Sequence, residues 1–66
     1  MRIDTLYEFI LLATNLNFTD TAKSFFIAQS ALSNHISKLE RELGAKLFTR
    51  DNRSVALTKV GKTFLE

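Results

Sequence analysis

Gln29, Ser30, Ser33, Asn34, Ser37, Lys38 and Arg41 recur three and four residues apart, the spacing that collects side chains on one face of a helix. The amino-terminal members of this set are short, uncharged and rich in hydrogen-bonding groups, where a solvated helix face ordinarily carries Glu and Lys. An amide such as Gln29 or Asn34 donates and accepts at once, which matches the N6/N7 edge of adenine in a DNA major groove. A good pair of this kind discriminates between bases by about 1–3 kcal/mol. Ser30 offers a hydroxyl to the same groove. Ser33 is better suited to a phosphate oxygen, and so is Thr19, near the start of the preceding helix, where unpaired N–H groups attract anions. Lys38 lies farther along and is expected beside the nucleic-acid backbone. These groups recognise rather than react. The competing reading is a plain amphipathic helix whose serines and amides face only water.

Bond-making chemistry has few residues to draw on. The chain holds no cysteine and a single histidine, His35, which excludes a disulfide framework and an ordinary zinc site built within it. Gly44 and Gly61 are the only glycines, too few for a loop that cradles phosphate. Glu40 and Glu42 stand two apart on a helix and point in different directions, so they form no acid–base pair. His35 projects to the border of the apolar stripe and reads as a rim residue. No enzymatic activity, metal or cofactor is expected. The charge distribution favours a polyanion instead. Residues 1–33 carry Arg2 and Lys23 against Asp4, Glu8 and Asp20, a net of −1. Residues 34–62 carry Lys38, Arg41, Lys46, Arg50, Arg53, Lys59 and Lys62 against Glu40, Glu42 and Asp51, a net of +4. Basic charge gathered in one half is the footprint of a polyanion-binding surface.

The elements that must position these groups follow from periodicity. With 66 residues the chain is one small domain, and at 45% hydrophobic, with six Phe, it depends on packing for stability. Leu32, Ile36, Leu39 and Leu43 form the buried stripe of the central helix, spanning 29–43 and closed by Gly44. Ile3, Leu6, Phe9, Ile10, Ala13 and Leu16 mark the stripe of a first helix, with Tyr7, Leu11 and Leu12 off it. Asn17 caps a short second helix, with Asp20 three residues on, and Phe18, Ala22, Phe25 and Phe26 are its apolar side. A short helix, a tight turn without glycine and a longer polar-faced helix outline a helix-turn-helix. Phe48 with Arg50, and Val55 with Leu57, alternate as a two-stranded ribbon turning at Asp51-Asn52. Thr58 caps a last helix with Val60, Phe64 and Leu65 along one side. Arg50 and Arg53 flank the ribbon turn, where an arginine reaches a phosphate or enters a narrow minor groove. Arg53 is assigned to the minor groove and Arg50 to the backbone; an ion pair of Arg50 with Glu40 or Glu42 is the alternative. No apolar run approaches a membrane span and no signal peptide precedes the first helix, so a cytoplasmic protein with no membrane partner is expected.

Phe18-Thr19, Ala22, Gln29, Ala31-Leu32-Ser33, Ile36, Leu39-Glu40, Leu43-Gly44, Leu47-Phe48, Arg50, Arg53, Leu57-Thr58 and Gly61 together resemble the N-terminal DNA-binding part of LysR-type transcriptional regulators. The strings QSALSNHISKLERELGAKLFTR and ALTKVG carry the resemblance most specifically, and it covers essentially the whole chain. It implies a mostly α winged helix-turn-helix: three helices, a short two-stranded β wing and the start of a linker helix. Residues 1–58 would form the DNA-binding domain and residues 59–66 a shortened beginning of the linker and dimerisation helix. The resemblance further implies a bacterial regulator that binds double-stranded promoter DNA as a homodimer or tetramer. A small-molecule inducer would act through a C-terminal domain missing from this chain. Three positions depart from the pattern. Ala28 replaces a common Ser and gives up a side-chain cap, Ser30 replaces a common Pro, and Asn34 stands where relatives often carry Arg or Gln. The alternative function is a helical protein-interaction or dimerisation module without DNA specificity of its own, using surplus apolar surface from Tyr7, Leu11, Leu12, Phe64 and Leu65.

Overall fold

A computed structural model describes residues 3–50 and 54–65. Its elements run α1 (Ile3–Asn15), α2 (Phe18–Ser24), α3 (Gln29–Leu43), β1 (Phe48–Arg50), β2 (Val55–Leu57) and α4 (Lys59–Leu65). The strands are antiparallel, with Phe48 opposite Leu57, Thr49 opposite Ala56 and Arg50 opposite Val55. This is the winged helix-turn-helix expected from the pattern. The ribbon turn at Asp51-Asn52 lies outside the described residues.

The core gathers Phe9 and Leu12 from α1, Phe18 and Ala22 from α2, Leu32, Ile36 and Leu39 of the expected α3 stripe, and Leu47 and Phe48 at the wing, while Leu43, the fourth residue expected on that stripe, is 38% exposed in the last turn of α3. Phe9 is its hub. Its ring lies 5.5 Å from Phe48 and 5.3 Å from Phe64 of α4, both in the tilted or edge-on arrangements that aromatic pairs favour.

About this hub, α1 is rotated from its expected orientation. Thr5, Glu8, Phe9, Leu12 and Ala13 are buried, while Ile3 is 69% and Ile10 49% exposed. α1 is apolar over too wide an arc for period alone to choose an inward face. Phe9 and Ala13 are common to the expected and observed faces, and the burial of Leu12 in place of Ile10 brings the polar Thr5 and Glu8 inward. Leu12, set off the stripe in the sequence reading, is completely buried. Leu16, placed on the stripe, instead ends α1 in a left-handed conformation (φ 54°), its N–H donating to the Leu12 carbonyl at 2.7 Å.

Asn17 caps α2 as expected, its side-chain oxygen accepting from the Asp20 N–H at 2.9 Å. The Asn17 N–H donates to Asn15 Oδ1 at 2.9 Å, and the same oxygen accepts from the buried Thr21 hydroxyl. α2 stops before Phe26, which takes φ 57°. The Phe26 N–H donates to the Lys23 carbonyl and the Ile27 N–H to that of Ala22, the paired bonds of a Schellman turn. This left-handed residue throws the Phe26 ring into solvent, 94% exposed, rather than onto the apolar side of α2. Gly44 ends α3 in the same way, at φ 71°, with its own N–H bonded to Arg41 and that of Ala45 to Glu40.

The departure at Ala28 has the expected structural cost. Ala28 holds the extended conformation of an N-cap (φ −70°, ψ 150°) but supplies no side-chain bond to the first amides of α3. Ala28→Ser restores that acceptor and should raise stability by about 0.5–1 kcal/mol, read as a higher urea midpoint with an unchanged slope.

At the other end of the fold, the Thr58 hydroxyl accepts from the Gly61 N–H at 3.0 Å, the predicted cap of α4, and donates to the Lys46 carbonyl at 2.6 Å. α4 faces inward through Gly61 and Phe64. Val60 and Leu65, expected on the same side as Phe64, are 46% and 41% exposed.

Candidate nucleic-acid interface

α3 turns one arc away from the core it packs against. Gln29, Ser30, Asn34 and Lys38 are exposed along it, and Ser33 and Ser37 are half-buried at its edge. Two neighbouring elements close on its amino-terminal half. From α2, the Thr19 hydroxyl lies 3.1 Å from Gln29 Oε1. From the end of β1, Arg50 Nη1 donates to Ser33 Oγ at 3.1 Å, and the guanidinium carbon sits 4.1 Å above the Phe18 ring centroid. The structure therefore joins Thr19, Gln29, Ser33 and Arg50 in one surface, with Ser30 and Asn34 on the same helix face.

Arg50 thus engages Ser33 and Phe18, not the Glu40 or Glu42 offered as alternatives. Glu40 has other work. It is buried, and Oε2 accepts from the Leu47 and Phe48 N–H groups at 2.7 and 3.2 Å, while Oε1 lies 3.9 Å from Lys46 Nζ. A guanidinium stacked over an aromatic ring gains about 0.5–1 kcal/mol at an exposed site. That holds the cation against the recognition surface instead of leaving it free on the wing. The Ser33 hydroxyl accepts from Arg50, so its own proton is left for an acceptor such as a phosphate oxygen.

Lys38 lies on the opposite flank of α3. It lines an open cleft of about 600 Å³ between α1 and α3, together with Asp4, Tyr7, Glu8, His35 and Glu42. In that cleft His35 Nδ1 stands 2.9 Å from Glu8 Oε1, the histidine side chain 44% exposed and the carboxylate 6%. His35 is a rim residue, but one with a buried acidic partner 27 positions away that no local pattern indicates. Arg53 lies outside the described residues. Among the described residues no group of three His, Cys, Asp or Glu side chains could hold a metal ion, and no helix is long and apolar enough to cross a membrane.

Sequence reasoning missed the Phe18 platform beneath Arg50 and the bond between Thr19 and Gln29. Both link elements that meet only in the folded chain. The one local signal was compositional: an aromatic residue and a hydroxyl side by side at the start of α2.

Residues 3–62 match the sequence profile of the family described as "Bacterial regulatory helix-turn-helix protein, lysR family". The chain is 47% identical over its whole length to the HTH-type transcriptional activator IlvY of Haemophilus influenzae, of which it spans 23%. It is 48% identical over 98% of its length to the HTH-type transcriptional regulator ShiR of Corynebacterium glutamicum, spanning 22% of that protein. The chain therefore spans less than a quarter of the curated relatives it matches. Among solved structures, a BenM DBD/catB site 1 DNA complex superposes with a TM-score of 0.91 at 37% identity, covering 98% of this chain and 72% of that one. A CbnR DBD–DNA complex gives 0.92 at 32% identity, covering 98% and 75%. With the match running from the first helix through the wing and into α4, the chain belongs to the LysR family of bacterial regulatory helix-turn-helix proteins.

Proposed function

We propose that this chain is the sequence-specific, double-stranded DNA-binding part of a bacterial LysR-type transcriptional regulator, with α3 lying in the major groove of promoter DNA. The observation that carries this reading is the exposed, uncharged face of α3, bordered by a hydroxyl from α2 and a cation from β1. Similarity to BenM and CbnR domains solved as DNA complexes supports it. Gln29, Ser30 and Asn34 read base edges. Thr19, Ser33, Lys38 and Arg50 lie along the DNA backbone, and Arg53 enters the minor groove. Residues 1–58 form the binding domain and residues 59–66 begin the linker helix. Inducer sensing falls to the rest of the regulator, and the cytoplasm is where its DNA target would be met. The chain performs no catalysis.

Binding-site selection from a randomised duplex library at low salt tests the reading. Asn34→Ala should relax preference at one base pair by about 1–3 kcal/mol and leave other positions unchanged. Loss of Arg53 should weaken sites with A·T-rich flanks most. A selection profile untouched by both changes defeats this docking.

The apolar surface left exposed favours self-association as a second activity. It includes Ile3, Tyr7 and Ile10 on α1 with Val60 and Leu65 on α4. This is a different set from the one read in the sequence, because Leu12 is buried and Phe64 packs against the core. A chain that pairs with itself in size-exclusion chromatography but shifts no duplex at low salt would make pairing its principal role.

A further inference from the structure

We infer that Thr19 is a positioning residue for base selection, its hydroxyl holding the Gln29 amide in one orientation and so deciding which hydrogen-bonding groups α3 offers to DNA. The inference rests on the DNA-binding reading above. Thr19 lies in the first turn of α2, exposed, where a phosphate is the obvious partner. Its Oγ1 is nevertheless bonded to Gln29 Oε1 at 3.1 Å, across ten residues of chain. A threonine hydroxyl has a single proton. Spent on Gln29, that proton leaves only lone pairs on the oxygen, and lone pairs do not bind a phosphate oxygen. The hydroxyl serves one acceptor at a time, and in the free chain that acceptor is Gln29.

The consequence falls on Gln29. A free glutamine turns its amide either way and loses that freedom on binding. Here one lone pair of Oε1 is occupied before DNA arrives, which holds the amide in one orientation and leaves its second lone pair and both Nε2 hydrogens for DNA. Donors match the acceptor edges of the major groove, guanine N7 and O6 or thymine O4. The two-way pairing with adenine N6 and N7 needs the carbonyl oxygen as much as the nitrogen. Thr19 therefore fixes the orientation in which Gln29 meets a base edge.

The test is binding-site selection with the 66-residue chain and four variants: Thr19→Val, Thr19→Ser, Gln29→Ala and the Thr19→Val, Gln29→Ala pair. Thr19→Val, which keeps the shape and removes the hydroxyl, should cost roughly three- to tenfold of base discrimination at one base pair. Thr19→Ser should retain the wild-type profile. In the Gln29→Ala background, Thr19→Val should change nothing at that position. A uniform loss of affinity with the profile intact makes Thr19 a phosphate contact and overturns the inference, as does an unchanged profile with unchanged affinity. Should the wild-type chain select no sequence at all, the DNA-binding reading fails by itself. The bond is then tested in the free chain, where Thr19→Val should average the Gln29 side-chain torsions measured by three-bond couplings. Unchanged couplings overturn it.

Discussion

Glu40→Ala should destabilise the chain by about 2–4 kcal/mol, because two buried amides lose their acceptor at once. Leu47 is fully buried and Phe48 only 4% exposed, and both N–H groups donate to the same Glu40 oxygen. Water has little access to replace it. A domain of 66 residues has roughly 3–10 kcal/mol of stability in total, so a loss of this size removes at least about a fifth of it and, at the low end of the range, all of it. Glu40→Gln keeps a carbonyl oxygen of similar reach and should lose much less, about 1 kcal/mol, since only the charge assistance is removed. Urea denaturation ranks the three chains. Hydrogen exchange at the Leu47 and Phe48 amides locates the effect, with faster exchange expected in Glu40→Ala. Equal stability of wild type and Glu40→Ala would mean that the loop finds another acceptor. DNA affinity should fall along with stability, because Glu40 fixes the entry to β1 and β1 delivers Arg50 to Ser33.

The same residue shows where legibility ended. Glu40 lies on α3 among residues whose period was plain, and Leu32, Ile36 and Leu39 are buried as that period predicts. Gly44, Asn17 and Thr58 were legible too, because each serves a helix end through bonds within a few residues. What period does not carry is the choice between two apolar arcs. α1 offered two that share Phe9, and the folded chain takes the one that buries Leu12 and Glu8. Nor does it show a polar group used at long range. Glu40 with the wing amides, Glu8 with His35, Arg50 with Ser33 and Thr19 with Gln29 all join separate elements. The face of the candidate site was readable, therefore, and the bonds that orient its members were not. Phe26 failed for a third reason. Its left-handed turn ordinarily goes to Gly or Asn, so neither the end of α2 nor the exposure of the ring was signalled by the residue type.

Gly61→Ala should be the second severe substitution, at about 2–4 kcal/mol, although alanine is the better helix former by about 1 kcal/mol. Gly61 is helical and buried, so its conformational freedom is not at issue. Space is. A Cβ built there overlaps the Leu47 carbonyl oxygen and comes within 2.9 Å of Leu57 Cδ2. The leucine side chain can move, but the carbonyl belongs to backbone already bonded to the Thr58 N–H at 3.0 Å. Relief therefore requires α4 to lift away, breaking that bond and drawing Phe64 from Phe9. Two results distinguish a lifted helix from general unfolding. The Phe9 and Phe64 ring resonances should shift while the α3 amides keep their wild-type exchange rates, and exchange at the Thr58 amide should accelerate. Because α4 carries Val60 and Leu65, two of the five exposed apolar residues assigned to self-association, the variant should also pair less while keeping its base preference. Retention of pairing with α4 displaced would assign self-association to Ile3, Tyr7 and Ile10 of α1 alone.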